Sequence, residues 1–394
     1  MFGNKRTGTL VPISGVHPRS GEWTHSAFVP APLTDDLPDL SPQTWMRVAD
    51  ARAALAALDS TARQLPNPQL LRRPSLQREA QSTSALEGTY EPLHAVLTAD
   101  DEGPVSLTMR EVLNFVRMAD LAFGWVDEGR TLSVPMLAEL QQTLVRGTPA
   151  ESPSSGQIRT IQVVIGQRRT AAVGELPVKA ARFVPPPPGL DLEANVRDLV
   201  RWMAADRKDT MDPVVVSALS HYQFETLHPF HDGNGRIGRL LIVLQLYASG
   251  VLSEPTLTVS PWFEARRAEY YDRLLAVSCA GEWDQWISFF AQGLEGSAQT
   301  TRGQMLRLVD VQSELKETIR ASSLRADKAH TLVDYAVAHP SFTVRQVERD
   351  LELSYGRANG LVGQLVDLGV LSSTGETYRR RFVAPAVLDV LLSA

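Results

Sequence analysis

The sequence predicts a mainly α chain with little sheet. Apolar residues recur at helical spacing in run after run, from Trp45, Val48, Ala49, Ala51, Leu55 and Leu58 near the start to Trp283, Trp286, Phe289 and Phe290 downstream. β-like sequence is confined to one glycine-bounded stretch, Gly156–Gly166, and to a hairpin pattern near the C-terminus.

Composition sets the class. A chain of 394 residues, 43% hydrophobic and 21% charged, has the profile of a soluble globular protein of two or three domains. A net charge of −6 argues against general nucleic-acid binding, and a single cysteine, Cys279, excludes a disulfide framework or a cysteine zinc site. No leader-like apolar segment opens the chain and no apolar run is long enough to span a bilayer, so a cytoplasmic location without membrane contact is expected.

Met1 to about Pro42, rich in Pro, Gly, Ser and Asp, reads as an irregular arm. Ser41-Pro42 is an N-cap followed by proline at the first helical position. Pro74 to Leu86 is a further helix, with Gly88 placed to end it. Thr83 and Glu87 are four apart, so the hydroxyl and the carboxylate share a face. Two helical runs follow between Leu107 and Val145, carrying Leu113, Val116 and Leu121, then Leu137, Leu140 and Leu144. The prolines 185–188 form a stiff extended spacer before a helix from Leu192 to Ala204.

The most informative stretch is His228-Pro229-Phe230-His231-Asp232-Gly233-Asn234-Gly235-Arg236-Ile237-Gly238-Arg239, set between the apolar runs 214–227 and 240–248. Asp, Gly and Asn reach left-handed dihedrals and aim backbone N–H groups into one concavity. The helix beginning inside the motif adds unpaired amides and a positive dipole end, and Arg236 and Arg239 project from the same first turn. The loop therefore reads as a phosphate cradle. His228 suits a general base near neutral pH, and Asp232, a lone carboxylate beside phosphates, suits Mg²⁺.

These twelve residues resemble the signature HPFx[DE]GNGRxxR of the Fic (filamentation-induced-by-cAMP) family, with every defined position filled. The resemblance implies an all-helical bundle with a small β-hairpin flap, and transfer of AMP from ATP to a Ser, Thr or Tyr hydroxyl of a protein. It implies His228 as the base and Asp232 as the Mg²⁺ ligand. Gly233, Asn234 (side chain included), Gly235, Arg236, Gly238 and Arg239 would hold the nucleotide, with Phe230 anchoring the loop. Thr83 to Gly88 resembles the family's inhibitory motif [ST]xxxE[GN]; Glu87 would pair with Arg239 and deny it to the γ-phosphate, and in some relatives the same residue serves removal of AMP. Gly156 to Gly166 is similar to the flap, so Gln162, Val163, Val164 and Ile165 would pair with an extended target segment. Tyr270-Tyr271 resembles a tyrosine pair that Fic proteins place beside adenine, and the resemblance implies that one of the two stacks on that ring.

Beyond a polar helical stretch, Gln299 to about Leu324, the pattern resembles a winged helix: helix-turn-helix sequence at 342–347 and 354–362, then a wing through Gly375 and Tyr378 to Phe382. From Ala321 onward 8 Lys/Arg stand against 8 Asp/Glu, so protein docking or dimerisation competes with DNA binding as its role. The resemblance covers about four-fifths of the chain in family order. The expected organisation is 1–105 with the inhibitory helix, 106–298 as catalytic core, 299–320 as linker helix and 321–394 as winged helix. Two alternatives stay open: a Doc-like phosphotransferase, and a nucleotide-sensing DNA-binding regulator.

Overall fold

The computed structural model describes residues 6–17, 21–64, 71–99, 105–322, 324, 327–374 and 380–393. The chain opens with a hairpin, β1 (Gly8–His17) antiparallel to β2 (Gly21–Pro30), where an irregular arm was expected. Val11, Ile13 and Trp23 of the hairpin pack toward Ala27, Val178, Ala181 and Val184, and the Phe28 amide donates to the Val184 carbonyl. A side chain at Gly15 would collide with the Trp23 ring, which is why that strand carries a glycine.

Helix α1 (Pro42–Gln64) begins at Ser41, whose hydroxyl accepts from the Thr44 amide, and buries Val48, Ala51, Leu55 and Leu58. Helix α2 (Arg72–Leu86) ends where Gly88 takes φ +96°. Then come α3 (Leu93–Leu97), α4 (Leu107–Asp127) and α5 (Val134–Val145). The β-like stretch at 156–166 forms strand only at its end. β3 (Ile165–Gln167) pairs, across the short α6 (Pro177–Ala180), with β4 (Ala181–Phe183).

Helices α7 (Leu190–Ala204), α8 (Pro213–Leu227) and α9 (Asn234–Ala248) build the centre. The run beginning at Ser260 breaks at Arg266 into α10 (Ser260–Ala265) and α11 (Arg267–Ala280). The two helical stretches expected around 282–293 and 299–324 are one helix, α12 (Trp283–Ala321), about 58 Å long at the α-helical rise. Two of its glycines, Gly293 and Gly296, lie against the Trp262 ring, where a methyl would crowd.

The C-terminal part runs α13 (Asp327–Ala338), β5 (Ser341–Thr343), α14 (Val344–Asp350), α15 (Tyr355–Asp367), β6 (Ser372–Ser373), β7 (Arg381–Val383) and α16 (Pro385–Leu392), its strands ordered β5-β7-β6. The expected wing residues Gly375 and Tyr378 lie outside the described residues. One continuous apolar core runs through the helices and carries this C-terminal part with it. Among the described residues no helix is long and apolar enough to cross a membrane.

Candidate active site

The loop between α8 and α9 is built by backbone geometry. His228 caps α8 in the left-handed region (φ 49°, ψ 61°), a conformation disfavoured for a side chain of its size, and Gly233 caps α9 at φ 86°. Two neighbours hold the loop in this shape. Arg159, almost fully buried, donates from Nε to the His228 carbonyl at 2.8 Å and from its amide to the Pro229 carbonyl, while its Nη2 donates to the Pro186 carbonyl at 2.5 Å. Gln141 donates to the Asp232 carbonyl and accepts from the Gly156 amide. Neither was singled out from sequence as a site residue. The arginine of the flap motif and a glutamine at helical spacing carried no chemical signal of their own.

The His228 ring Nδ1 lies 3.2 Å from the Glu225 carbonyl. A carbonyl only accepts, so Nδ1 carries the hydrogen and Nε2 is left as the basic nitrogen. Burial pushes the imidazole down to about 4, so it is neutral at physiological pH.

The Asn234 side chain is engaged inside the loop. Its Oδ1 accepts from the Phe230 amide and its Nδ2 donates to the Phe230 carbonyl, both at 2.8 Å, so it locks the loop around the buried Phe230 ring. Arg236 donates to Asp232 at 2.7 Å and reaches Glu111 at 3.5 Å, and Glu111 in turn accepts from Thr89.

Arg239 is fully buried and meets the C-terminal end of α2. Its Nε donates to Thr83 Oγ1 at 2.7 Å, and its Nη2 to the Thr83 carbonyl at 3.1 Å and to Glu87 Oε1 at 2.6 Å. Burial raises the Glu87 carboxyl, but the Arg239 charge and hydrogen bond outweigh it and hold the group below its ordinary value. The carboxylate stands over Gly235, where a β-carbon would come within 2.0 Å of Oε1. Glu87 thus puts an anion at the N-terminus of α9, the position that the unpaired helical amides favour for a phosphate.

Glu87, His228 and Gly235 border one cavity of about 250 Å³, also lined by Leu86, Glu225 and Tyr271 among others. A larger cavity of about 370 Å³, between the α4–α5 connection and α7–α8, touches none of the signature residues.

Models of the Fic/DOC family match residues 131–246, and those of the Fic/DOC family N-terminal region match 45–124. The chain belongs to the Fic/DOC family. It is 32% identical over 184 residues to protein adenylyltransferase fic-1 of Caenorhabditis elegans, covering 44% of this chain and 32% of that protein. It is 33% identical over 112 residues to protein adenylyltransferase Fic of Drosophila melanogaster, covering 28% and 21%. The chain therefore spans a third or less of the length of these relatives. A Fic family protein from Desulfovibrio desulfuricans superposes with a TM-score of 0.54 at 20% identity, over 88% of this chain and 97% of that one, which shows a shared fold.

Within this Fic fold the remaining expected residues separate. Tyr270 is fully buried, its hydroxyl 2.7 Å from His221 Nε2 and its ring among Phe263 and Trp286, so it has no face for a ligand. Tyr271 is the one of the pair that lines the cavity, its hydroxyl donating to the Leu86 carbonyl. Gly238 is glycine because the Glu225 carboxylate occupies the space a β-carbon would need. Of the four flap residues only Ile165 borders the cavity. The Gln162 side chain donates to the Pro185 carbonyl, and Val164 packs toward the N-terminal hairpin.

Asp232 is the loop's carboxylate, with an exposed side chain whose Oδ1 accepts from Arg236. Among the described residues no group of three or more His, Cys, Asp or Glu side chains is placed to hold a metal ion by itself. One exposed carboxylate beside a phosphate cradle nevertheless fits Mg²⁺, which takes its other ligands from water and phosphate oxygens.

Proposed function

We propose that this Fic protein transfers AMP from ATP to a hydroxyl of a protein, with Mg²⁺, and that Glu87 holds the activity low. The observation that carries the reading is the meeting of His228, Gly235 and Glu87 at one cavity, with Glu87 paired to the buried Arg239 behind it.

In this reading the triphosphate enters along the α9 N-terminus, with the Gly235 amide and Arg236 and Arg239 facing its phosphates. The target hydroxyl approaches His228 Nε2. Its oxygen bonds to the α-phosphorus as the bond to the bridging oxygen breaks, its proton passes to His228, and pyrophosphate leaves toward the arginines. Mg²⁺ held by Asp232 would neutralise charge on the phosphates. The protein supplies alignment and charge stabilisation. Tyr271 offers the aromatic face to adenine, and the edge of β3 offers backbone groups to the target.

With Glu87 on Arg239, a γ-phosphate has no access to that guanidinium and the α-phosphorus is turned away from the hydroxyl. We also read the C-terminal part as a winged helix that docks protein rather than DNA, supported by its balanced charge and by its contacts with α2. We place the whole reaction in the cytoplasm.

The chemistry is tested by incubating the Glu87→Gly protein with α-labelled and, separately, γ-labelled ATP. Protein labelled from the α position alone supports AMP transfer. Label from the γ position alone would replace the reading with phosphate transfer.

A further inference from the structure

The cavity of about 370 Å³ between the α4–α5 connection and helices α7, α8 and α9 has no part in the signature loop. Its volume is roughly two and a half times the ~150 Å³ that encloses one benzene in an apolar protein interior. Val126, Leu132, Met136, Met211, Val216 and Leu244 give it an apolar wall, and methionine side chains adapt their shape to a guest. The exposed Lys208 and Ala248 stand at its rim, so it is reached from solvent.

Charge does not define this cavity. Arg130 reaches Glu128 and lies over the Trp125 ring, and Arg207 donates to Asp35 and lies over the Trp202 ring. Lys208 is left in water, where an ion pair adds little. One interior group does ask for a partner. Gln245 lines the cavity from α9, and its Oε1 accepts from the Ser220 hydroxyl at 2.6 Å, which sets the amide's orientation. Its Nε2 is buried with no hydrogen-bond partner. A buried donor left unpaired costs free energy until an acceptor reaches it. A carboxylate placed there would be a buried charge met by a single amide, which is unfavourable. A neutral carbonyl meets the same donor without that cost.

We propose that this cavity binds a neutral, carbonyl-bearing apolar molecule of about two-ring size, its oxygen accepting from Gln245 Nε2 and its body packed against Met136 and Met211. The assignment does not depend on the nucleotide reading of the other cavity. Helices α8 and α9 both line the site and carry the signature loop between them. A guest packed against both holds that pair together, and the melting temperature rises with it.

Equilibrium dialysis of the full chain against benzophenone, diphenylmethane and diphenylamine tests the site. The three share two rings and differ in the bridge, which is an acceptor, neither, or a donor. Wild type binds benzophenone, and saturating ATP does not displace it. Ala248→Trp, a change at the exposed rim, loses that binding. In Gln245→Met, close in length but without the donor, the affinity ratio of benzophenone to diphenylmethane falls about tenfold, the factor carried by one hydrogen bond. Comparing ratios removes the different hydration of the two probes. No binding of benzophenone, an unchanged ratio in Gln245→Met, displacement by ATP, or tighter binding of diphenylamine than of benzophenone would each overturn the assignment.

Discussion

Arg239 and Glu87 lie 152 positions apart in sequence and 2.6 Å apart in space, with Nη2 donating to Oε1. The guanidinium is fully buried, and the carboxylate is partly open to the cavity. The pair is thus asymmetric: Glu87 can leave into solvent, whereas Arg239 cannot follow. An anion arriving from the cavity finds the cation fixed in place.

Removing Glu87 leaves that buried cation short of a partner. Glu87→Gly forfeits a charge-assisted hydrogen bond worth about 1.5–3 kcal/mol. Its melting temperature falls, and saturating ATP restores more in the variant than in wild type, because ATP replaces the missing anion. Calorimetry with and without ATP checks this; equal ATP-induced shifts in both proteins would contradict it.

Gly235 and Glu87 compete for the same space. A methyl at Gly235 would meet Glu87 Oε1 at 2.0 Å, so Gly235→Ala destabilises the wild-type background by about 1–3 kcal/mol, as overpacking does. The same substitution in Glu87→Gly costs much less. A thermodynamic cycle on the four proteins reads the difference, and additive effects would show that the two residues do not oppose each other.

Arg159 positions the base through its backbone. Arg159→Met removes the donors to the carbonyls of His228, Pro186 and Leu227. The left-handed His228 then relaxes. In the Glu87→Gly background kcat falls by about 100-fold, the scale of a misplaced reacting group, while KM for ATP changes little. A rise in KM at unchanged kcat would assign Arg159 to nucleotide binding instead.

Protons report on the pocket floor. Burial raises the Glu225 carboxyl from 4.5 to about 8, with Arg239 opposing and Glu87 adding to the rise. Between those values the folded chain holds a proton that the unfolded chain has lost, so stability falls as pH rises through that window. The buried imidazoles of His221 and His228 act oppositely. They are pushed down from 6.5 to about 3 and about 4, so stability falls as pH drops below 6.5. Glu225→Gln, a neutral isostere, flattens the alkaline limb alone: its melting temperature relative to wild type is higher at pH 8 than at pH 5. Parallel melting curves across pH would remove Glu225 from the pocket's proton balance.

Much of this was legible in sequence, because helical spacing and the His228–Arg239 loop are local patterns. The N-terminal hairpin was not. Pro12, Gly15 and Ser14 mask an alternation in which Val11, Ile13 and Trp23 share a face, and that face acquires meaning only against Ala181 and Val184. Local sequence does not locate the strand pair, because the partner of Ile165 is Phe183, beyond a long connection that contains a short helix of its own. For Asn234 and Tyr270 the family resemblance implies a ligand role, and the sequence carries no sign of their neighbours. The side-chain amide of Asn234 is consumed by Phe230, and Tyr270 is held in the core by His221, contacts fixed only by packing.

The central claim is that Glu87 restrains a transferase whose base is His228. The most direct measurement is protein labelling from α-labelled ATP and Mg²⁺ by wild-type, Glu87→Gly and Glu87→Gly/His228→Ala proteins. The account predicts strong label in Glu87→Gly, little in wild type and none in the double variant. Equal label in wild type and Glu87→Gly, or label that survives loss of His228, would contradict it.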